Sequence, residues 1–202
     1  MNKRAETSVP VLAEIAERWS PRAFDASRMV EKDKLLAVLE AARWAPSSSN
    51  EQPWRYIVCD RANDAEGWQR AFDQLTEGNR LWCKDVPVLL VALADTLSGK
   101  GGEPHRWGAH DTGAASENLY LEAVRQGLAA HPMGGFDAEG VRKTFAVPER
   151  FLPIAMIALG YQGRAEQLDG WRREAEVGAR QRRPLHETFF AGQFGMPWKA
   201  GA

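Results

Sequence analysis

Cysteine is scarce in this chain. Cys59 and Cys83 are the only two among 202 residues and they form no Cys-x-x-Cys, which argues against a disulfide framework or a structural zinc site. The four histidines offer no substitute: His105 and His110 lie five apart, off a shared helical face, with no further ligand motif beside them. No metal is expected. Long apolar runs are missing as well. None approaches the roughly 18–20 residues that a membrane span requires, and Met1-Asn2-Lys3-Arg4-Ala5-Glu6 lacks the apolar run of a signal peptide. A soluble, cytoplasmic protein is the expectation. Charge of one sign is absent too: a formal net charge of -1 gives no electrostatic reason to expect nucleic acid or an anionic membrane as partner. Nor does the chain contain Gly-x-Gly-x-x-Gly, Gly-x-x-x-x-Gly-Lys or Gly-x-Ser-x-Gly, so the dinucleotide, P-loop and nucleophile-elbow fingerprints are excluded. Chemistry is therefore expected from something other than side chains.

What is present is ordinary in bulk and unusual in detail. Length and a 26% share of charged residues suit one globular domain spanning 1–202. Eight tryptophans are many, and aromatic surface on that scale goes into a core, an oligomer interface or a flat ligand. Apolar spacing predicts helices over Val9–Arg18, Glu31–Trp44 and Arg106–Gly127, a weaker one over Asn63–Trp82 broken at Gly78-Asn79, and a short one over Asp137–Thr144. In the longest, Trp107, Ala114, Leu121 and Leu128 recur at heptad spacing, and Gly113 to Ser116 are small enough for another backbone to approach closely. Strands are predicted at Arg55–Asp60, Val86–Asp95, Leu128 onward and Phe151–Tyr161. The second reads as buried on both faces because its apolar run is continuous. The aromatic tail, with Phe189, Phe190, Phe194 and Trp198, is expected to cover its own domain or a partner subunit, and a fifth strand near His186–Ala191 is expected to join from that partner.

Three polar turns stand out. Arg18-Trp19-Ser20-Pro21-Arg22 sets two guanidinium forks around a hydroxyl, an arrangement suited to phosphate, with Pro21 stiffening the turn. Pro46-Ser47-Ser48-Ser49-Asn50-Glu51-Gln52-Pro53 is dense in small donors and acceptors between prolines. Pro132-Met133-Gly134-Gly135 exposes backbone amides. With Arg182-Arg183 they suit a phosphorylated heterocycle better than a peptide or a metal. Read singly, each turn is equally well a solvated connection.

Taken in order, these pieces, with Gly78-Asn79-Arg80, Leu159-Gly160-Tyr161 and Arg182-Arg183-Pro184-Leu185, resemble the nitroreductase family of FMN-dependent oxidoreductases from about Val11 to Glu187. The resemblance implies an α+β fold, with a mixed, mainly antiparallel sheet flanked by helices, in an intertwined homodimer. It also implies FMN as a tightly bound, non-covalent cofactor and NAD(P)H as reductant, with a nitroaromatic, quinone or similar small molecule as electron acceptor in a ping-pong reaction. By carry-over, Arg18 and Ser20, with Trp19 in the same wall, hold the FMN phosphate together with Arg182 or Arg183. Arg22 lies by the N1–C2 carbonyl side, and Asn79 bonds the pyrimidine edge. Pro46, Ser47, Ser48, Ser49 and Asn50, with Gln52, reach in from the other subunit. Pro132, Met133, Gly134 and Gly135 cover one ring face, the Gly134 amide donating to N5, the hydride-accepting atom. Trp82, where many relatives carry a basic residue, is expected to leave fewer polar contacts at the ring edge. A flavin-consuming or dehalogenating relative and a non-catalytic flavin-binding module remain as alternatives.

Overall fold

A strand buried on both faces organises the molecule. The computed structural model describes residues 3–99 and 102–198. In chain order the elements are α1 (Ala13–Glu17), α2 (Lys32–Arg43), β1 (Trp54–Asp60), α3 (Ala65–Asp73), α4 (Glu77–Cys83), β2 (Val88–Asp95), α5 (Gly108–Arg125), β3 (Ala129–Met133), α6 (Ala138–Thr144), β4 (Phe151–Gly160), α7 (Gly170–Val177) and α8 (Leu185–Thr188). The sheet runs β1-β2-β4-β3 with every pairing antiparallel, Leu90 opposite both Val58 and Ile157. All eight residues of β2 are buried. Because successive side chains leave a strand on opposite faces, Val88, Leu90 and Ala92 enter one core with α2 and α5. Leu89, Val91 and Leu93 enter the other with Trp68, Trp82 and Val141 of α3, α4 and α6. The result is the expected α+β layering, with helices on both faces of the sheet. Pro132 sits in β3, an edge strand, the kind of strand in which proline is tolerated.

Several boundaries differ from the periodic reading, each for a tertiary reason. The break between α3 and α4 falls at Gln74–Thr76 rather than at Gly78-Asn79. Leu75 bridges Phe136 and the Thr76 amide donates to the Gly135 carbonyl at 3.0 Å, so those residues serve the glycine turn instead of a helix. The helix expected from Val9 begins only at Ala13: Leu12 is extended, and the preceding arm runs back so that the Ala5 amide donates to the Ala16 carbonyl at 2.7 Å. In α5 the heptad stripe is not the buried one. Asp111, Thr112, Ala115, Ser116, Leu119, Tyr120 and Ala123 face the core, whereas Trp107 is exposed. The close approach occurs at Gly108, where a Cβ would lie 2.1 Å from the Asp95 carbonyl, while Gly113 faces open space. Residues near His186 form α8, and Phe190 bridges Pro197 of the same chain, so the expected fifth strand is replaced by a short helix and a local turn. No helix among the described residues is long and apolar enough to cross a membrane.

Candidate functional site

The Arg18–Arg22 turn leaves the end of α1 and is held from three sides. Its backbone is clamped by Glu176 of α7, a carboxylate that is 1% exposed. Glu176 accepts the amide of Arg22 at 2.9 Å and that of Ala23 at 3.2 Å. The Pro21 carbonyl accepts His131 Nδ1–H at 2.8 Å. Since a carbonyl can only accept, Nδ1 carries the proton of the neutral ring. Burial, then the positive charges of Arg22 and Arg18, bring the His131 pKa down to about 4 against the raising effect of the Pro21 bond. The imidazole is therefore neutral at pH 7. The Arg22 guanidinium lies over the Trp171 ring at 5.0 Å, and burial holds its pKa below the ordinary range against the opposing charge of Glu176.

Arg18 points the other way, into a groove of about 1090 Å³ that also presents Arg180, Arg182, Arg183 and His186. Its guanidinium bonds Ser20 Oγ at 3.4 Å and stands 3.8 Å from Glu117 of α5. Arg180 is already committed, donating to the carbonyls of Lys3 at 3.0 Å and Ala16 at 2.6 Å. Arg182 spends one N–H on the Gln181 carbonyl at 2.8 Å, so among the described residues Arg18, Arg182 and Arg183 are the cations lining the groove that keep further N–H groups to offer an anion. Three positive forks against the two carboxylates that line the groove, Glu6 and Glu117, leave it a cationic balance suited to an anion such as phosphate.

A second group gathers at the end of β3. The Gly135 carbonyl accepts the Thr76 amide at 3.0 Å, the Thr76 hydroxyl at 3.1 Å and Asn79 Nδ2–H at 2.9 Å. A Cβ there would lie 2.8 Å from Asn79 Nδ2 and 2.9 Å from Thr76 Oγ1, so any other residue would push these side-chain donors aside. Gly134 beside it is exposed, with nothing within 4 Å of the Cβ position, so a flat molecule can reach its backbone. Met133 is buried and Pro132 half-buried. Trp82 is 3% exposed and packs on His131 with ring centroids 4.7 Å apart. His131 thus touches both groups, the arginine turn through Pro21 and the glycine turn through Trp82.

The third segment stands apart. The Ser48 amide donates to Asp111 Oδ2 at 2.9 Å, and Ser47 Oγ accepts the Gln52 amide at 3.0 Å. Ser49, Asn50 and Gln52 all have positive φ, at 51°, 56° and 48°. Left-handed backbone at three non-glycine residues in one loop is strain that surrounding contacts must hold. Neither this loop nor Pro46 lines the arginine groove of its own chain, and Trp19 borders a smaller hollow with Lys3 4.3 Å from its ring. Sequence reasoning missed Glu176, Glu117 and Asp111, whose partners are far along the chain; His131, beside Pro132, was readable only as a core or pocket histidine.

This fold and this set of turns define a family. The profile of the nitroreductase family matches residues 15–161, and the chain belongs to that family. A Methanothermobacter thermautotrophicus protein, named provisionally as an NADH dehydrogenase/NAD(P)H nitroreductase, is 31% identical over 159 residues, covering 77% of this chain and 78% of its own. A crystal structure described as an oxidoreductase containing FMN superposes with a TM-score of 0.88 at 36% identity, over 96% of this chain and 97% of that one. A nitroreductase family protein of Clostridium difficile 630 superposes at 0.69 with 26% identity, over 92% and 100%.

Proposed function

We propose that this chain is an FMN-dependent oxidoreductase that takes reducing equivalents from NAD(P)H and passes them to a nitroaromatic, quinone or similar small acceptor, working as a homodimer. The observation that carries the reading is the convergence of Arg18 with Arg182 and Arg183, from opposite ends of the chain, on one groove. Membership of the nitroreductase family and the FMN in the described crystal structure supply the identity of the phosphate's owner. FMN, when bound, supplies the hydride chemistry. The residues contribute position and charge. Arg18 and Ser20, with Arg182 or Arg183 opposite, would hold the phosphate. Arg22, on a backbone fixed by Glu176, would put positive charge at the N1–C2 carbonyl side. Asn79 would bond the pyrimidine edge. Pro132 to Gly135 would cover one face, with the Gly134 amide offered to N5.

Reductant and acceptor would then take turns at the remaining face, which is a ping-pong order. Pro46 to Asn50 and Gln52 would come from the second copy. Two observations favour such a copy: the loop lines neither the arginine groove nor the smaller hollow at Trp19, and Leu12, Ile15, Leu36 and Trp44, in and beside α1 and α2, expose apolar side chains. The aromatic tail, with Phe189, Phe194 and Trp198 exposed, would pack on the same partner. The test is the absorption spectrum of the purified protein, before and after anaerobic NAD(P)H. A flavin spectrum that bleaches with NAD(P)H and recovers with a quinone supports the reading. Colourless protein that fails to quench added FMN fluorescence overturns it.

A further inference from the structure

Trp82 does more than fill the core. Its indole N–H donates to Asn79 Oδ1 at 3.2 Å, while Asn79 Nδ2 donates to the Gly135 carbonyl at 2.9 Å. An asparagine amide is the same shape either way round, so its orientation is read from its partners. Here two partners determine it independently. An indole N–H can only donate, so the atom facing it is oxygen; a carbonyl can only accept, so the atom facing it is nitrogen. Of the amide's two N–H groups and two lone pairs, one of each is used. What is left on this half-buried side chain, next to the open backbone of Gly134, includes one N–H. The indole in turn is held by His131, at 4.7 Å, and by Phe24, stacked at 6.1 Å.

We propose that Trp82 is a positioning residue of the cofactor site: it locks the Asn79 amide so that an N–H faces a carbonyl oxygen on the pyrimidine edge of FMN. The inference rests on the FMN reading above. A fixed N–H aimed at a ring carbonyl gains strength as that oxygen takes up negative charge on reduction, so the lock favours reduced over oxidised cofactor. Without the indole donor, Asn79 Oδ1 loses its partner. The Gly135 carbonyl keeps its two Thr76 donors, which frees Asn79 to turn away.

Trp82→Phe is the test, since it keeps a ring against His131 and Phe24 and removes the donor together with the pyrrole part of the ring's volume. Affinity for oxidised FMN, from fluorescence quenching, is expected to change by less than about threefold, whereas reduced FMN weakens about tenfold relative to oxidised, moving the two-electron couple about 30 mV more negative. Asn79→Ala should shift the couple at least as far, and adding Trp82→Phe to it should change nothing further. A couple unmoved in Trp82→Phe, or shifts that add in the double variant, overturns the proposal while leaving the FMN reading intact. Wild-type protein that binds no FMN overturns both. Should Trp82→Phe fail to fold, hydrogen exchange of the Trp82 indole N–H decides: protection in wild type that is lost in Asn79→Ala supports the lock, and exchange equally fast in both overturns it.

Discussion

Replacing Glu176 should damage the protein more than its position in a charged, apolar-poor segment suggests. The carboxylate is 1% exposed and accepts two backbone amides, of Arg22 at 2.9 Å and of Ala23 at 3.2 Å. Hydrogen bonds to a charged acceptor contribute about 1.5–3 kcal/mol each, and a buried donor left without a partner costs about 1–3 kcal/mol. These overlap, because losing the bond and stranding the donor are one event, and the partly buried Arg22 amide can recover a water in the space left behind. Glu176→Ala is therefore expected to cost about 3–5 kcal/mol, a large share of the roughly 5–15 kcal/mol typical of a domain. Glu176→Gln is the sharper probe. It fills the same volume but sets an NH₂ against one of two N–H donors, so it should still cost about 2 kcal/mol. A purely space-filling role predicts almost no change for glutamine. Urea denaturation of both variants at pH 7, with slopes compared to wild type, separates the two. If Glu176→Gln unfolds within about 0.5 kcal/mol of wild type, the clamp is not what holds the turn.

Three further outcomes are expected. His131, with its pKa brought down to about 4 from 6.5, should contribute stability that is fully present above pH 6.5 and is lost as pH falls toward 4, by about 3 kcal/mol in all. The sign follows because the unfolded histidine takes its proton first; a His131→Phe variant whose stability falls as steeply as wild type between pH 6.5 and 4 would refute it. Arg18→Ala should weaken FMN binding by about 1.5–3 kcal/mol, with Arg182→Ala and Arg183→Ala compared in the same titration to decide which fork shares the phosphate, and unchanged affinity for Arg18→Ala breaks the assignment. Burial pushes the Cys59 thiol up to about 11 and raises that of Cys83 as well, so neither should react with a thiol reagent in native protein at pH 8. Labelling of either cysteine faster than global unfolding would contradict that.

Much of this was legible before any coordinates. The continuous run Val86–Asp95 read as a strand covered on both faces, and the spacing of Leu35, Val38, Leu39 and Ala42 as a helix laid on a core, because hydrophobic spacing is a local property that burial must respect. The polar turns by themselves indicated only a phosphorylated, flat ligand, and their order indicated the family by resemblance. Partners distant along the chain were beyond its reach. Nothing local marks Glu176 as the buried one among the seven charged residues from Arg164 to Glu176, and nothing ties His131 to Pro21 or Asn79 to Gly135. Likewise Gly78-Asn79 looked like a helix break by composition, yet Leu75 and Thr76 end the helix because Phe136 and Gly135 take their backbone groups. The amino-acid order decided which segments had to be buried and which chemistry was on offer. Only the tertiary structure decided which donor met which acceptor, because those pairings follow from how the helices settle on the sheet.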